Sequence, residues 1–204
     1  MMTGFALPTS AARSPAGTLA PWYAIHVRSK FERTVSIILR DKGFEEFLPL
    51  YSAKRKWSDR VKQLDLPLFP GYVFCRIDVS ARLLPVVTIP GVLRIVSAGK
   101  YPIAVSDLEI EAVQAVLRSG LPAMPWPGLS AGSPVLIEHG PLAGLEGFVL
   151  EVNKKYRLIV SVSLLQRAVA VEIEREWVGP LAQAGSVSGA VPLGYSLRHS
   201  RQVA

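Results

Sequence analysis

The hydrophobic pattern of this chain changes character once, across a proline- and glycine-dense stretch at residues 121–130, and a chain patterned in this way packs as two units. Ahead of that stretch, strand-like and helix-like segments alternate. Trp22-Tyr23-Ala24-Ile25-His26-Val27 is aromatic and β-branched, so it reads as a strand. Ser29 and Glu32 then have capping-box spacing, Phe31, Val35, Ile38 and Leu39 recur at helical intervals, and Gly43 offers a helix stop. Residues 44–51 read as a second strand, 54–62 as a charged excursion, and 66–77 as a return strand with Pro67 and Pro70 near its start. A short helix is expected within 80–87 and a strand at 92–96. A second capping box, Ser106 with Glu109, opens a helix whose apolar stripe is Ile110, Val113 and Leu117.

Past residue 130 the helical period vanishes. Leu158, Val160, Val162 and Leu164 alternate with Ser161 and Ser163, and Val169, Val171 and Ile173 alternate with Ala170, Glu172 and Glu174. Four or five short strands in under fifty residues cannot bury a sandwich core, and closure into a small barrel also removes exposed edges. The expected organisation is therefore a leader at 1–20, an α+β domain at 21–120, a linker at 121–130, an all-β barrel at 131–181 and a disordered tail at 182–204.

Half of the 204 residues are hydrophobic, enough for packed cores, yet charged residues, prolines and glycines interrupt every apolar run. No membrane span is expected. The leader lacks the basic start and apolar run of a secretory signal, and Cys75 is the single cysteine. A cytoplasmic protein without disulfides or a cysteine-cluster zinc site is the expectation. The net charge of +7 favours an anionic partner, because Lys and Arg release counterions from phosphate backbones.

The segment Pro67-Leu68-Phe69-Pro70-Gly71-Tyr72-Val73-Phe74 carries the most information. On an extended strand Tyr72 and Phe74 share one face and Val73 takes the other. Both faces could be core, as aromatic residues usually are. Pairing with the first strand, through Trp22, Tyr23 and His26, would instead build a shallow aromatic concavity suited to docking a partner's helices.

Four motifs in order resemble NusG-type transcription factors: Trp22-Tyr23, the aromatic strand just quoted, Ile89-Pro90-Gly91-Val92, and Gly140-Pro141-Leu142-Ala143-Gly144-Leu145-Glu146-Gly147. The last is similar to the KOW motif. The resemblance spans residues 21–181 and implies an N-terminal NGN domain, an α/β sandwich with an antiparallel sheet, linked to an SH3-like KOW barrel. It implies docking of Trp22, Tyr23, His26, Phe69, Tyr72, Phe74 and Ile89 on helices of the largest catalytic subunit of RNA polymerase. It also implies that the barrel recruits a small-subunit ribosomal protein or Rho through Leu142, Leu164, Leu165 and Arg167. Leu165 stands where housekeeping members place phenylalanine, which with the long tails points to a specialised, operon-specific antiterminator acting as a monomer. A ribosome-associated protein whose KOW-like barrel binds RNA is the alternative reading.

Two basic groups flank the aromatic strand: Arg28, Lys30 and Arg33 at the first helix, and Lys54, Arg55, Lys56, Arg60 and Lys62 around Trp57. A solvated charged loop is one explanation. In a polymerase-bound factor the same charges would approach upstream duplex or the non-template strand, with Trp57 stacking on an unpaired base. Nucleotide binding by the glycine-rich run is disfavoured, since the Lys-Ser/Thr ending of a P-loop is missing and no helix follows. The glycines are expected to shape the barrel instead. His26, His139 and His199 lie in separate regions without metal-ligand spacing, so neither a catalytic site nor a cofactor is expected.

Overall fold

A computed structural model describes residues 20–57, 60–127, 133–152 and 155–180, with the side chains of 54–57, 60, 61, 127, 152 and 180 left aside. The expected leader, save residue 20, and the expected tail lie outside the described residues.

Strand β1 (Trp22–Val27) is the spine of the first unit. It pairs antiparallel with β5 (Tyr72–Arg76) on one side and with β6 (Val92–Ile95) and β9 (Ala104–Val105) on the other, while β2 (Glu46–Phe47) extends the sheet beyond β5. Strand alternation sorts the side chains. Tyr23, Ile25, Val27, Val73, Cys75 and Ile77 pack with Val35 and Leu39 of helix α1 (Glu32–Asp41) and with Val86 of the short helix α2 (Leu84–Val87). Trp22, Ala24 and Phe74 pack on the other face with Ile110, Val113 and Val116 of helix α3 (Asp107–Arg118).

Neither expected capping box forms. Phe31 and Ser106 occupy the N-cap positions without a side-chain cap, because the acidic residues are committed elsewhere. Glu32 is buried and accepts from the backbone N–H of Gly71 at 2.9 Å. Glu109 accepts from the N–H of Ser163 at 3.0 Å, and Asp107 pairs with Arg76 at 2.6 Å. Tertiary partners that also donate to a carboxylate have outcompeted the local cap. Arg76 further donates to the Ala20 carbonyl at 2.8 Å, reaches Glu45 at 3.2 Å and lies over the Trp22 ring.

The charged excursion is a hairpin, β3 (Leu50–Trp57) with β4 (Arg60–Pro67), standing off the main sheet. The expected return strand at 66–77 is split: Leu66 and Pro67 close the hairpin at the end of β4, and β5 begins at Tyr72 beyond Pro70, which has no N–H to donate. A small ribbon, β7 (Ser97–Ala98) with β8 (Tyr101–Pro102), precedes β9.

The second unit is one antiparallel sheet ordered β10-β14-β13-β12-β11-β15. Its strands are β10 (Ala123–Pro127), β11 (Ser133–Ile137), β12 (Glu146–Val152), β13 (Lys155–Val162), β14 (Arg167–Ile173) and β15 (Val178–Pro180). Leu158, Val160 and Val162 meet Val169, Val171 and Ile173 in its core, the alternation read from sequence. Gly147 explains part of the glycine-rich motif: a Cβ there would sit 2.7 Å from Leu158 Cδ1 and 2.9 Å from the Ile159 carbonyl oxygen. The residue lets β12 approach β13 closely.

Residues 123–127, expected within a linker, form strand β10. The N–H of Glu172 donates to the Pro122 carbonyl at 3.4 Å, and the register then makes Met124–Ala170 and Trp126–Ala168 the exchanging pairs. Pro125 and Pro127 fall on the outer edge, where no ladder donor is required. Met124 and Trp126 cover Ile159, Ala168 and Ala170, and that burial is what proline content alone did not reveal.

Candidate docking face and its cover

On the α3 side of the first sheet the cross-strand pairs Ala24–Phe74 and His26–Tyr72 align the aromatic residues in rows. Phe69 meets Phe74 edge to face at 5.5 Å, Phe47 lies 6.1 Å from Phe74, and Trp22 lies 6.5 Å from Phe47. His26 stacks on Tyr72 with ring centroids 5.2 Å apart. Such contacts add about 0.5–1.5 kcal/mol each to the area they bury, so the rows form a preorganised aromatic floor.

The structure corrects the expected membership. Trp22, His26, Phe69, Tyr72 and Phe74 come together, but the pleat sends Tyr23 to the opposite face, where it pairs in register with Cys75. Ile89 belongs to that opposite core too. Phe47 joins the floor in their place. Phe44, Phe47 and Tyr51 are the aromatic residues of the 44–51 segment, and only the pairing of β2 with β5 singles out Phe47 and brings it beside Phe74.

A second correction concerns exposure. The docking reading requires Tyr72 and Phe74 to be presented outward, yet Phe69 and Phe74 are fully buried and Tyr72 is half-buried. The physical reason is cover by α3 and the second unit. Phe69, Phe74, α3 and the barrel core form one continuous apolar cluster. At its rim Arg167 of β14 donates from Nη1 to the Pro70 carbonyl at 3.0 Å and lies 5.1 Å from the Tyr72 ring centroid. The turn at Ser163–Leu165 is held to α3 through Glu109.

Leu142 and Leu165 are buried, and Leu164 and Arg167 partly so, on this covered side of the barrel. The two faces the sequence assigned to different partners therefore occlude one another.

Arg28, Lys30 and Arg33 are exposed at the entry to α1, and Lys62 is exposed on β4. Arg33 ties the two groups together, donating to the Asp65 carbonyl at 3.0 Å with the Asp65 carboxylate 3.8 Å away. The side chains of Lys54, Arg55, Lys56, Trp57 and Arg60 lie outside the described residues. Cys75 is buried, and desolvation, with the Glu46 charge second, pushes its thiol up to about 12. It is therefore a packed hydrophobe with negligible thiolate.

Among the described residues no group of three or more His, Cys, Asp or Glu side chains converges to hold a metal, and no helix is long and apolar enough to cross a membrane. The arrangement is an aromatic face on an α/β sheet, joined to a small β domain that covers it. A family profile described as "Transcription termination factor nusG" matches residues 20–114. The chain is 30% identical over 166 residues to the transcription termination/antitermination protein NusG of Vibrio vulnificus, covering 75% of this chain and 91% of that protein. Against NusG of Escherichia coli K12 the identity is 30% over 174 residues, covering 75% and 92%. A solved Thermotoga maritima NusG structure aligns at a TM-score of 0.49 and 20% identity, over 79% of this chain and 97% of that one. The chain belongs to the NusG family of transcription termination/antitermination proteins, which are regulators of transcription and not enzymes.

Proposed function

We propose that this protein binds RNA polymerase through the aromatic face of its first unit, on paired helices of the largest catalytic subunit, and there suppresses pausing or termination. The observation that carries the reading is the floor of Trp22, Phe47, Phe69, Tyr72 and Phe74, an apolar surface on a rigid sheet whose rim bears polar tips at His26 and Tyr72. Engagement first requires the barrel to leave, because Arg167 and the 163–165 turn occupy the approach. Once released, the barrel offers Leu142, Leu164, Leu165 and Arg167 to a small-subunit ribosomal protein or to Rho. The exposed cations Arg28, Lys30, Arg33 and Lys62 belong to the same unit and, with the charges of Lys54, Arg55, Lys56 and Arg60, suit upstream duplex or the non-template strand. An operon-specific role fits the replacement at Leu165.

Binding of the full chain to the isolated polymerase helices tests this, with Tyr72→Asp and Arg167→Ala as the two variants. Tyr72→Asp should abolish binding and Arg167→Ala should tighten it, since it removes part of the cover. Wild-type affinity for both variants would refute the assigned surface.

A further inference from the structure

The first unit and the barrel are joined by two very different lengths of chain, depending on whether β10 is paired. With β10 on β14, the connection from the end of α3 at Arg118 to Ala123 is residues 119–122. Four residues reach about 14 Å at most. The connection is stiffened as well: Ser119 Oγ donates to the Val116 carbonyl at 2.6 Å and accepts from the Leu121 N–H at 3.2 Å. If β10 leaves β14, the connection runs from 119 to 132, ahead of Ser133, and its reach grows to roughly 46–50 Å.

We propose that β10 is a docked tether whose pairing with β14 sets how far the barrel can travel from the aromatic face. Three observations support it. Pro122 cannot donate, so its pair with Glu172 holds only the bond from the Glu172 N–H, itself long at 3.4 Å, and β10 can detach without dismantling β11 to β15. Met124 and Trp126 are only partly buried on a small separate cluster with Ile159, Ala168 and Ala170, apart from the main core. The strand also sits at the sheet's edge, the least cooperative position. Clearing the aromatic floor for two helices, each about 10–12 Å across, exceeds a 14 Å leash unless the barrel merely pivots. Full opening thus has two steps, loss of the Arg167 and Glu109 contacts and then detachment of β10.

The idea builds on the domain separation proposed above, but its test involves no polymerase, so either reading can fail alone. In the full chain, Arg167→Ala with Glu109→Ala removes the rim contacts, and Met124→Cys with Ala170→Cys allows a disulfide across an exchanging pair, whose Cα spacing of about 5.5 Å suits one. Cys75 is buried and protonated, so it stays out of the exchange. Small-angle X-ray scattering compares the oxidised and reduced forms. Reduction should raise the radius of gyration by about 3–5 Å, as the longer leash lets the units separate. A second measurement needs no cross-link: in the wild-type chain, amide exchange at Ala168 and Ala170 should be faster than at the β13 residues Leu158 and Val160 by tenfold or more. Equal radii in both redox states, whether compact or extended, or equal protection of the two strands, would overturn the proposal.

Discussion

Arg167 of the barrel lies over the ring of Tyr72, 5.1 Å from guanidinium carbon to centroid, while its Nη1 donates to the carbonyl of Pro70 at 3.0 Å. One side chain thereby reads both the backbone and the aromatic edge of a strand 97 positions away in sequence. At a partly exposed site a cation–π contact contributes about 0.5–1 kcal/mol and a charged hydrogen bond about 1.5–3 kcal/mol. Arg167→Ala should therefore shift the closed–open balance by roughly 1–2 kcal/mol after solvent screening. Increased solvent accessibility of Tyr72, followed by its fluorescence quenching against that of the parent chain, checks this.

Phe74 and Tyr72 should behave differently on truncation. Phe74 is fully buried against Phe69 and Phe47, so Phe74→Ala should cost about 3–5 kcal/mol of stability whatever it does to binding. Tyr72 is half-buried at the rim, and Tyr72→Ala should cost far less. Thermal unfolding of the two variants separates the floor of the site from its accessible edge.

Gly91 has φ +95, and a Cβ on it would run into the Phe31 ring at the start of α1. Gly91→Ala should destabilise the first unit by about 2–3 kcal/mol through strain and overpacking. Phe31→Ala in the same chain should recover part of that loss. A denaturant titration of the single and double variants would show the coupling.

Burial raises the Cys75 thiol from 9.0 to about 12. The folded state thus holds its proton more tightly than the unfolded chain, so this contribution is fully present below about pH 9 and is lost as pH rises towards 12. Cys75→Ala should flatten the fall in stability over that window. Native protein should also resist thiol-modifying reagents at neutral pH until it unfolds, which a timed labelling experiment in increasing urea would read.

Much of the fold is legible in residues. The bounds of β1 follow from an unbroken aromatic and β-branched run, and α3 follows from its apolar period, although Val116 and not Leu117 takes the third fully buried position. The aromatic strand gave half of the docking face. Its other member depends on a pairing between segments distant in the chain, as β2 delivers Phe47, whereas the pleat of β1 alone puts Tyr23 on the face opposite Trp22. The capping boxes misled because local patterns cannot show a competing partner such as Gly71 or Ser163.

By itself the sequence determined the change from mixed to all-β patterning, the alternation along β13 and β14, and which aromatic residues are available on the first sheet, because side-chain period and backbone propensity are local quantities. Tertiary structure alone decided that the face is covered, that Arg167 bridges the two units, and that residues 123–127 form a strand and not a free linker. Those outcomes turn on the burial of Met124, Trp126 and Phe74 against surfaces contributed by remote segments, and free energy of that kind exists only once the segments meet.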